Sequence, residues 1–342
     1  MGRTHCSWGL GITSQQPAGT RSSSSSSSSS SMASCRRLSG AGLREVLGPA
    51  QGLLFDCDGV LWAGERAVPG APELLERLQR SGKAALFVSN NSRRSVAELE
   101  LRFSRLGFRG VRAEHVFSSA LCSALFLRQR LGAAGGGGGG GDGGDGDGDG
   151  GGGGLVFVLG GEGLRGEVRA AGLRLVGEGE AGGEAVRAVL VGYDEGFTFG
   201  KLAQACGYLR DPRCLLVATD PDPWHPLSDG RRTPGTGSLT AAVETASGRK
   251  ALVVGKPNTY MFECIVERFG VDPARTLMVG DRLETDILFG KNCGLATILT
   301  LTGVSRLEEA QAYMASDSAA AKDMVPNYYV DSIADLIPGL DE

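Results

Sequence analysis

Four carboxylates, one lysine and a short polar run stand where apolar stretches end. LLFDCDGV places Asp56 and Asp58 two residues apart behind Leu53–Phe55. AALFVSNNS ends in Ser89, Asn90, Asn91 and Ser92, ALVVGKP in Lys256, and TLMVGDRLETD in Asp281 and Asp286. Side chains two apart on an extended segment point the same way, so Asp56 and Asp58 are expected to face one substrate. Crowded carboxylates raise one another's pKa unless a cation lies among them. Oxygen donors without His or Cys favour Mg²⁺ over zinc or copper. Mg²⁺ held by one or two carboxylates keeps room for a phosphate oxygen and water. Lys256 and the Ser and Asn groups then supply a cation and donors for the remaining phosphate oxygens. This is a complete set for phosphoryl transfer, which rests on positioning and charge neutralisation. One carboxylate can attack phosphorus and form an aspartyl-phosphate. The other can protonate the leaving alkoxide and then deprotonate the hydrolytic water, help worth roughly 10²–10⁴-fold in rate. Gly59 frees the backbone where the chain must turn.

These residues need elements to carry them. Gly52–Phe55, Ala84–Val88, Val116–Ser118, LVFVL, AVLVGY, CLLVATD, ALVV, TLMV and TILTL read as short buried strands. PGAPELLERLQR, from Pro69 to Arg80, and Ser95–Gly107 read as helices between them. Alternating strands and helices predict an α/β fold with a doubly wound parallel sheet. Ligands of such sheets bind at the carboxyl ends of the strands, where the polar residues fall. Cys57, between the two aspartates, is expected to point into the core.

Composition narrows the class. The 342 residues suffice for two domains, and 41% apolar with 22% charged residues is ordinary for a globular chain. A net charge of −4 gives no pull toward nucleic acid. No apolar run reaches the roughly 18 residues of a membrane span. The eight cysteines form no CxxC pair or regular framework, which suggests reduced thiols in a cytosolic protein. Ser22–Ser31 is an unbroken serine run followed by Met32, and the first 31 residues are expected to be a disordered extension ahead of a working start at Met32. Gly135–Gly154 is nearly pure glycine with four aspartates, the composition of a flexible linker. Asp145, Asp147, Asp149 and Gly150 imitate the opening of an EF-hand loop, but Val156 stands where its bidentate Glu belongs.

DCDGVLW, SNNS, GKP and GDRLETD, in that order and at fitting distances, resemble the four motifs of the haloacid dehalogenase (HAD) superfamily of phosphatases. The match runs from about Gly42 to the C-terminus, interrupted by the glycine run. The resemblance implies that Asp56 is the nucleophile and Asp58 the general acid/base. Ser89 would bond the phosphoryl group, with Asn90 and Asn91 lining the site. Lys256 would steady the charge on nucleophile and phosphate. Mg²⁺ would be held by Asp56, Asp281 and the backbone carbonyl of Asp58, with Asp286 supporting Lys256 or the metal's water shell. The implied fold is a HAD core, residues 42–131 and 249–342, with a C2-type α/β cap inserted at 155–248. Residues 1–41 would be a disordered extension and 132–154 the linker. His225 would reach from the cap to the substrate, and the protein would be a homodimer paired through the cap.

Thr219–Gly248 is most similar to superfamily members acting on pyridoxal 5′-phosphate. That implies this substrate, a phosphoserine protein such as cofilin as a further one, and a cytoplasmic location in part at the actin cytoskeleton. Phosphoglycolate is the alternative substrate. A closing cap would exclude water and select small esters. A different class, a receiver-like domain with a signalling phospho-Asp, also places acids and a lysine at strand ends, but it lacks the second acid and is far shorter.

Overall fold

The expected apolar runs become strands of two parallel sheets. A computed structural model describes residues 35–132, 154–177, 184–227 and 231–340. The serine run, the glycine run up to Gly153 and its EF-hand-like aspartates lie outside the described residues.

The larger sheet has seven strands. In spatial order they are Arg36–Arg37, Tyr328–Val330, Ala296–Thr300, Thr276–Gly280, Gly52–Phe55, Ala84–Ser89 and Val116–Ser118. All its pairings are parallel. Gly52–Phe55 is central and buried at every position, so its sequence is a continuous apolar run rather than an alternation. Phe55 lies in register with Val279 on one side and Phe87 on the other. The three chains therefore leave the sheet side by side at Asp56, Asp281 and Asn90.

Helices cover the sheet by familiar local rules. Ala71–Arg80 buries Ala71, Leu74, Leu75 and Leu78, the stripe of an amphipathic helix. Val96–Arg105 begins with a capping box: Ser95 Oγ accepts from Glu98 N–H, and Glu98 Oε2 accepts from Ser95 N–H. This cap ends the SNNS loop at a defined place.

The second sheet has five parallel strands, in the order Leu252–Val253, Leu215–Ala218, Val186–Val191, Leu155–Leu159 and Arg174–Leu175. Two short hairpins add to the sheets: Trp62–Ala63 with Arg66–Ala67, and Trp224–Pro226 with Arg232–Pro234. One apolar cluster joins Leu54, Val88 and Phe117 of the large sheet to Val156, Leu190 and Val217 of the small one. Helix Ser119–Gly132 contributes Ala120, Ala124 and Leu127 to it.

Two segments differ from the sequence reading. Residues 36–41 are not part of a disordered extension. Arg36–Arg37 pairs with Tyr328–Tyr329 at the sheet edge, Arg36 stacks on the Tyr328 ring, and Arg37 meets Asp331. Backbone pairing and one buried Leu38 order this stretch, and neither registers in a composition count. We expect Leu38→Ala to cost about 2–3 kcal/mol in urea denaturation; an unchanged midpoint would show that the edge strand does not hold in solution. The second difference is ALVV. Leu252–Val253 lies past the break expected at Gly248, yet it pairs with Leu215–Ala218 in the small sheet. An apolar run reports burial, not which sheet buries it.

Candidate active site

The carboxyl ends of the large sheet's central strands hold three buried carboxylates around one buried ammonium. Asp56 follows Phe55, with its N–H donated to Val279 O at 2.9 Å. Lys256 Nζ lies 2.5 Å from Asp56 Oδ1 and 2.7 Å from Asp286 Oδ1, and donates to Val88 O at 2.9 Å. Lys256 is 1% exposed. It arrives from the small sheet through the loop after Val253, not from a strand of the large sheet as the apolar run suggested.

Asn90 explains how that loop is seated. Its amide accepts from Lys256 N–H at 2.9 Å and donates to Lys256 O at 3.0 Å. The side chain expected to line the substrate site is thus occupied by the Lys256 backbone. Both partners are buried, so the paired amide satisfies groups that would otherwise be orphaned. A Cβ at Gly255 would press within 2.6 Å of Asn90 Oδ1, so only glycine admits this closure.

Asp286 is likewise committed. Its second oxygen accepts from the N–H groups of Asp281 and Arg282 at 3.0 and 3.1 Å, while the first holds Lys256. Asp281 Oδ2 accepts from Val304 N–H at 2.7 Å. Gly59, at φ +86°, passes so close that a Cβ there would stand 2.5 Å from Asp281 Oδ2. Gly303 lies beside Gly59 and crowds the same carboxylate, and a Cβ there would collide with it.

The electrostatics is unbalanced. Oxygens of Asp56, Asp281 and Asp286 lie within 4.8 Å of one another. Burial pushes Asp56 up to about 7 despite the pull of Lys256, with Asp286 adding to the rise. Burial, then Asp286 and Asp56, holds Asp281 well above the usual carboxylate range. Burial opposes the charge on Lys256, but Asp286 and Asp56 overcome it and keep the ammonium above its ordinary range. Three buried carboxylates against one ammonium leave a deficit that a hard divalent cation would fill.

Asp58 is separate from this cluster. The strand ends at Phe55, so the same-side rule for extended chain no longer governs Asp58. Its carboxylate is exposed and accepts from Trp62 Nε1–H at 2.9 Å and Asn91 Nδ2–H at 3.2 Å. Ser89 is buried at its strand end, and its Oγ accepts from Asn91 N–H at 3.2 Å. Cys57 is buried in the core as expected.

The small-sheet segment leans on the site from one side. His225 sits in the Trp224–Pro226 strand with its ring 5.5 Å from that of Tyr193. Burial lowers its pKa, Asp222 opposes, and Arg282 adds to the lowering, so the imidazole is held neutral. Arg282 NH1 pairs with Asp222 Oδ1 at 3.0 Å, and its guanidinium lies 5.2 Å from the Trp224 ring centre. Ser92 Oγ accepts from Tyr193 N–H at 3.0 Å, and Glu167 accepts from Val96 N–H at 2.6 Å. The sequence reading missed Arg282, Asp222, Gly303 and Trp62. Arg282 and Trp62 sit inside quoted motifs, where position alone pointed to them; Asp222 and Gly303 carry no local signal.

Comparison with known proteins agrees with this arrangement. Residues 53–174 match a family described as haloacid dehalogenase-like hydrolase, and residues 253–336 one described as HAD-hydrolase-like. The chain is 71% identical to chronophin of Homo sapiens over 314 residues, covering 91% of this chain and all of that one. The chain belongs to the haloacid dehalogenase-like hydrolases. Glycerol-3-phosphate phosphatase of Gallus gallus is 49% identical over 325 residues, covering 90% of this chain and 97% of the relative. Among solved structures, a 4-nitrophenylphosphatase from Thermotoga maritima superposes with a TM-score of 0.71 at 28% identity, covering 86% of this chain and 99% of that one. In this hydrolase family's terms, all four motifs of the chain meet at one sheet edge.

Proposed function

We propose that this hydrolase cleaves pyridoxal 5′-phosphate, with Mg²⁺, through an aspartyl-phosphate on Asp56. The protein is a phosphatase, a phosphoric monoester hydrolase, and its substrate is a small phosphate ester. One observation carries the mechanistic reading: a buried Asp56 paired to Lys256 beside Asp281 and Asp286, with Asp58 outside the cluster. Asp56 and Asp281, with the Asp58 backbone carbonyl, would hold Mg²⁺, which supplies charge neutralisation for the phosphoryl oxygens. Asp286 has both oxygens engaged and serves to hold Lys256. Asp56 attacks phosphorus, and Lys256 balances the charge on nucleophile and phosphoryl group. Ser89 bonds the phosphoryl oxygens. Asp58 gives its proton to the departing alkoxide, then takes one from the water that splits the acyl phosphate.

The choice of pyridoxal 5′-phosphate rests on Thr219–Gly248 and on the 71% identity to chronophin. The phosphoglycolate alternative is not favoured. His225, neutral and at the edge of the site, is assigned to substrate contact. The inserted cap, the phospho-cofilin substrate and a homodimer paired through the cap belong to the same proposal, as does a cytoplasmic site of action partly at the cytoskeleton.

The test is phosphate release from pyridoxal 5′-phosphate, phosphoglycolate, glycerol 3-phosphate and a cofilin phosphopeptide, with Mg²⁺ and with chelator. We expect pyridoxal 5′-phosphate to give the highest kcat/KM and chelation to remove at least about 99% of the rate. Preference for another ester would move the substrate and keep the chemistry. Unchanged turnover in chelator would overturn the Mg²⁺ assignment.

A further inference from the structure

The geometry points to Trp62 as the residue that aims the general acid Asp58, a positioning role resting on the phosphatase reading above. Asp58 is the exposed residue of an otherwise largely buried loop, and a free carboxylate there would sample several rotamers. Two N–H groups restrict it. Asn91 Nδ2–H reaches Oδ2 at 3.2 Å, and Trp62 Nε1–H reaches Oδ1 at 2.9 Å. The shorter bond comes from the more rigid partner.

Trp62 is immobilised on every side. It is 1% exposed. Its ring meets Phe103 edge-on at 4.9 Å and Phe108 at 6.1 Å. The buried Arg102 guanidinium lies 4.9 Å from its centre, and that arginine is itself held by Gly64 O and Glu65. The backbone is closed as tightly. Gly59 N–H donates to Trp62 O at 2.8 Å, and Trp62 N–H donates to Cys57 O at 3.3 Å. Asp58 and Trp62 form a one-residue bridge across this loop. Three residues of chain, Gly59 to Leu61, therefore join the acid to an indole anchored in the core. A phenylalanine would keep an aromatic ring in the core, in a smaller volume, but would lack the N–H that Trp62 donates to the acid.

The chemistry defines a specific signature. As the bond from Asp56 to phosphorus forms and the phosphorus–oxygen bond to the alcohol breaks, the Asp58 carboxyl proton passes to the departing oxygen. An alkoxide needs that proton, whereas 4-nitrophenolate leaves as a stable anion. A misaimed Asp58 therefore penalises alkyl esters far more than aryl esters. A packing defect slows both alike.

The experiment compares kcat/KM for pyridoxal 5′-phosphate and 4-nitrophenyl phosphate in wild type, Trp62→Phe, Asp58→Asn and the double variant. kcat/KM reports the steps through leaving-group departure. Trp62→Phe should lose about tenfold more on the alkyl ester than on the aryl ester, within the range that general acid help supplies. In the Asp58→Asn background it should add no further loss, because residues acting as a unit are not additive. Equal losses on the two esters, or additive losses in the double variant, overturn the assignment. If Trp62→Phe does not fold, site-specific benzothienylalanine keeps the shape of Trp62, replaces the N–H with sulfur, and gives the same two readouts. No turnover of either ester by wild type would instead defeat the phosphatase reading itself.

Discussion

Asp56→Asn should abolish phosphate release while leaving the fold intact. The expected loss is at least about 10⁴-fold in kcat, the scale on which removal of a covalent nucleophile registers in other hydrolases. The amide keeps the shape of the side chain and cannot form the acyl phosphate. The structure also says why the fold should survive. Lys256 keeps Asp286 at 2.7 Å and the Val88 carbonyl at 2.9 Å when Asp56 loses its charge. One of three buried carboxylates is neutralised, which relieves repulsion among them. The melting temperature in metal-free buffer is therefore expected to hold or rise. Phosphate release near the wild-type rate from a well-folded variant would remove Asp56 from the nucleophile role.

Lys256→Met should have the opposite effect on stability. It deletes the ammonium that two carboxylates share and leaves them buried, facing each other without a counter-charge. Removing one partner of a buried ionic group typically costs about 3–5 kcal/mol. Methionine fills much of the volume, so the loss would be electrostatic rather than a cavity. Urea denaturation measures it, and Lys256→Met/Asp286→Asn should recover part of the loss by removing an unpaired charge. A double variant no more stable than the single would show that packing, not charge, holds the lysine. Activity should fall by at least about 10³-fold in both.

Much of the fold was legible in the chain. Ala71–Arg80 follows from the spacing of its leucines, and the capping box of Val96–Arg105 from Ser95 and Glu98. Those features depend on residues within one or two turns of each other. Every strand run quoted from the sequence forms a strand, though ends shift by a residue or two; AALFV, for example, extends to Ser89. The role of Asn90 was not legible. An amide 166 residues from its partner seats the Lys256 loop, and no local pattern encodes that pairing.

By itself, the sequence determined the alternation of strands and helices, the identity of the acids and lysine, and their position at strand ends. Those are properties of short segments, set by burial, period and chain reversal. Only the tertiary structure decided which sheet took ALVV, that Asp286 engages Lys256, and that Asp58 stands outside the buried carboxylate cluster with Trp62 and Asn91 as its partners. The reason is physical. Each depends on contacts between distant segments, and the close approach of those segments is fixed by packing and by glycines such as Gly59 and Gly303 that leave no room for a side chain.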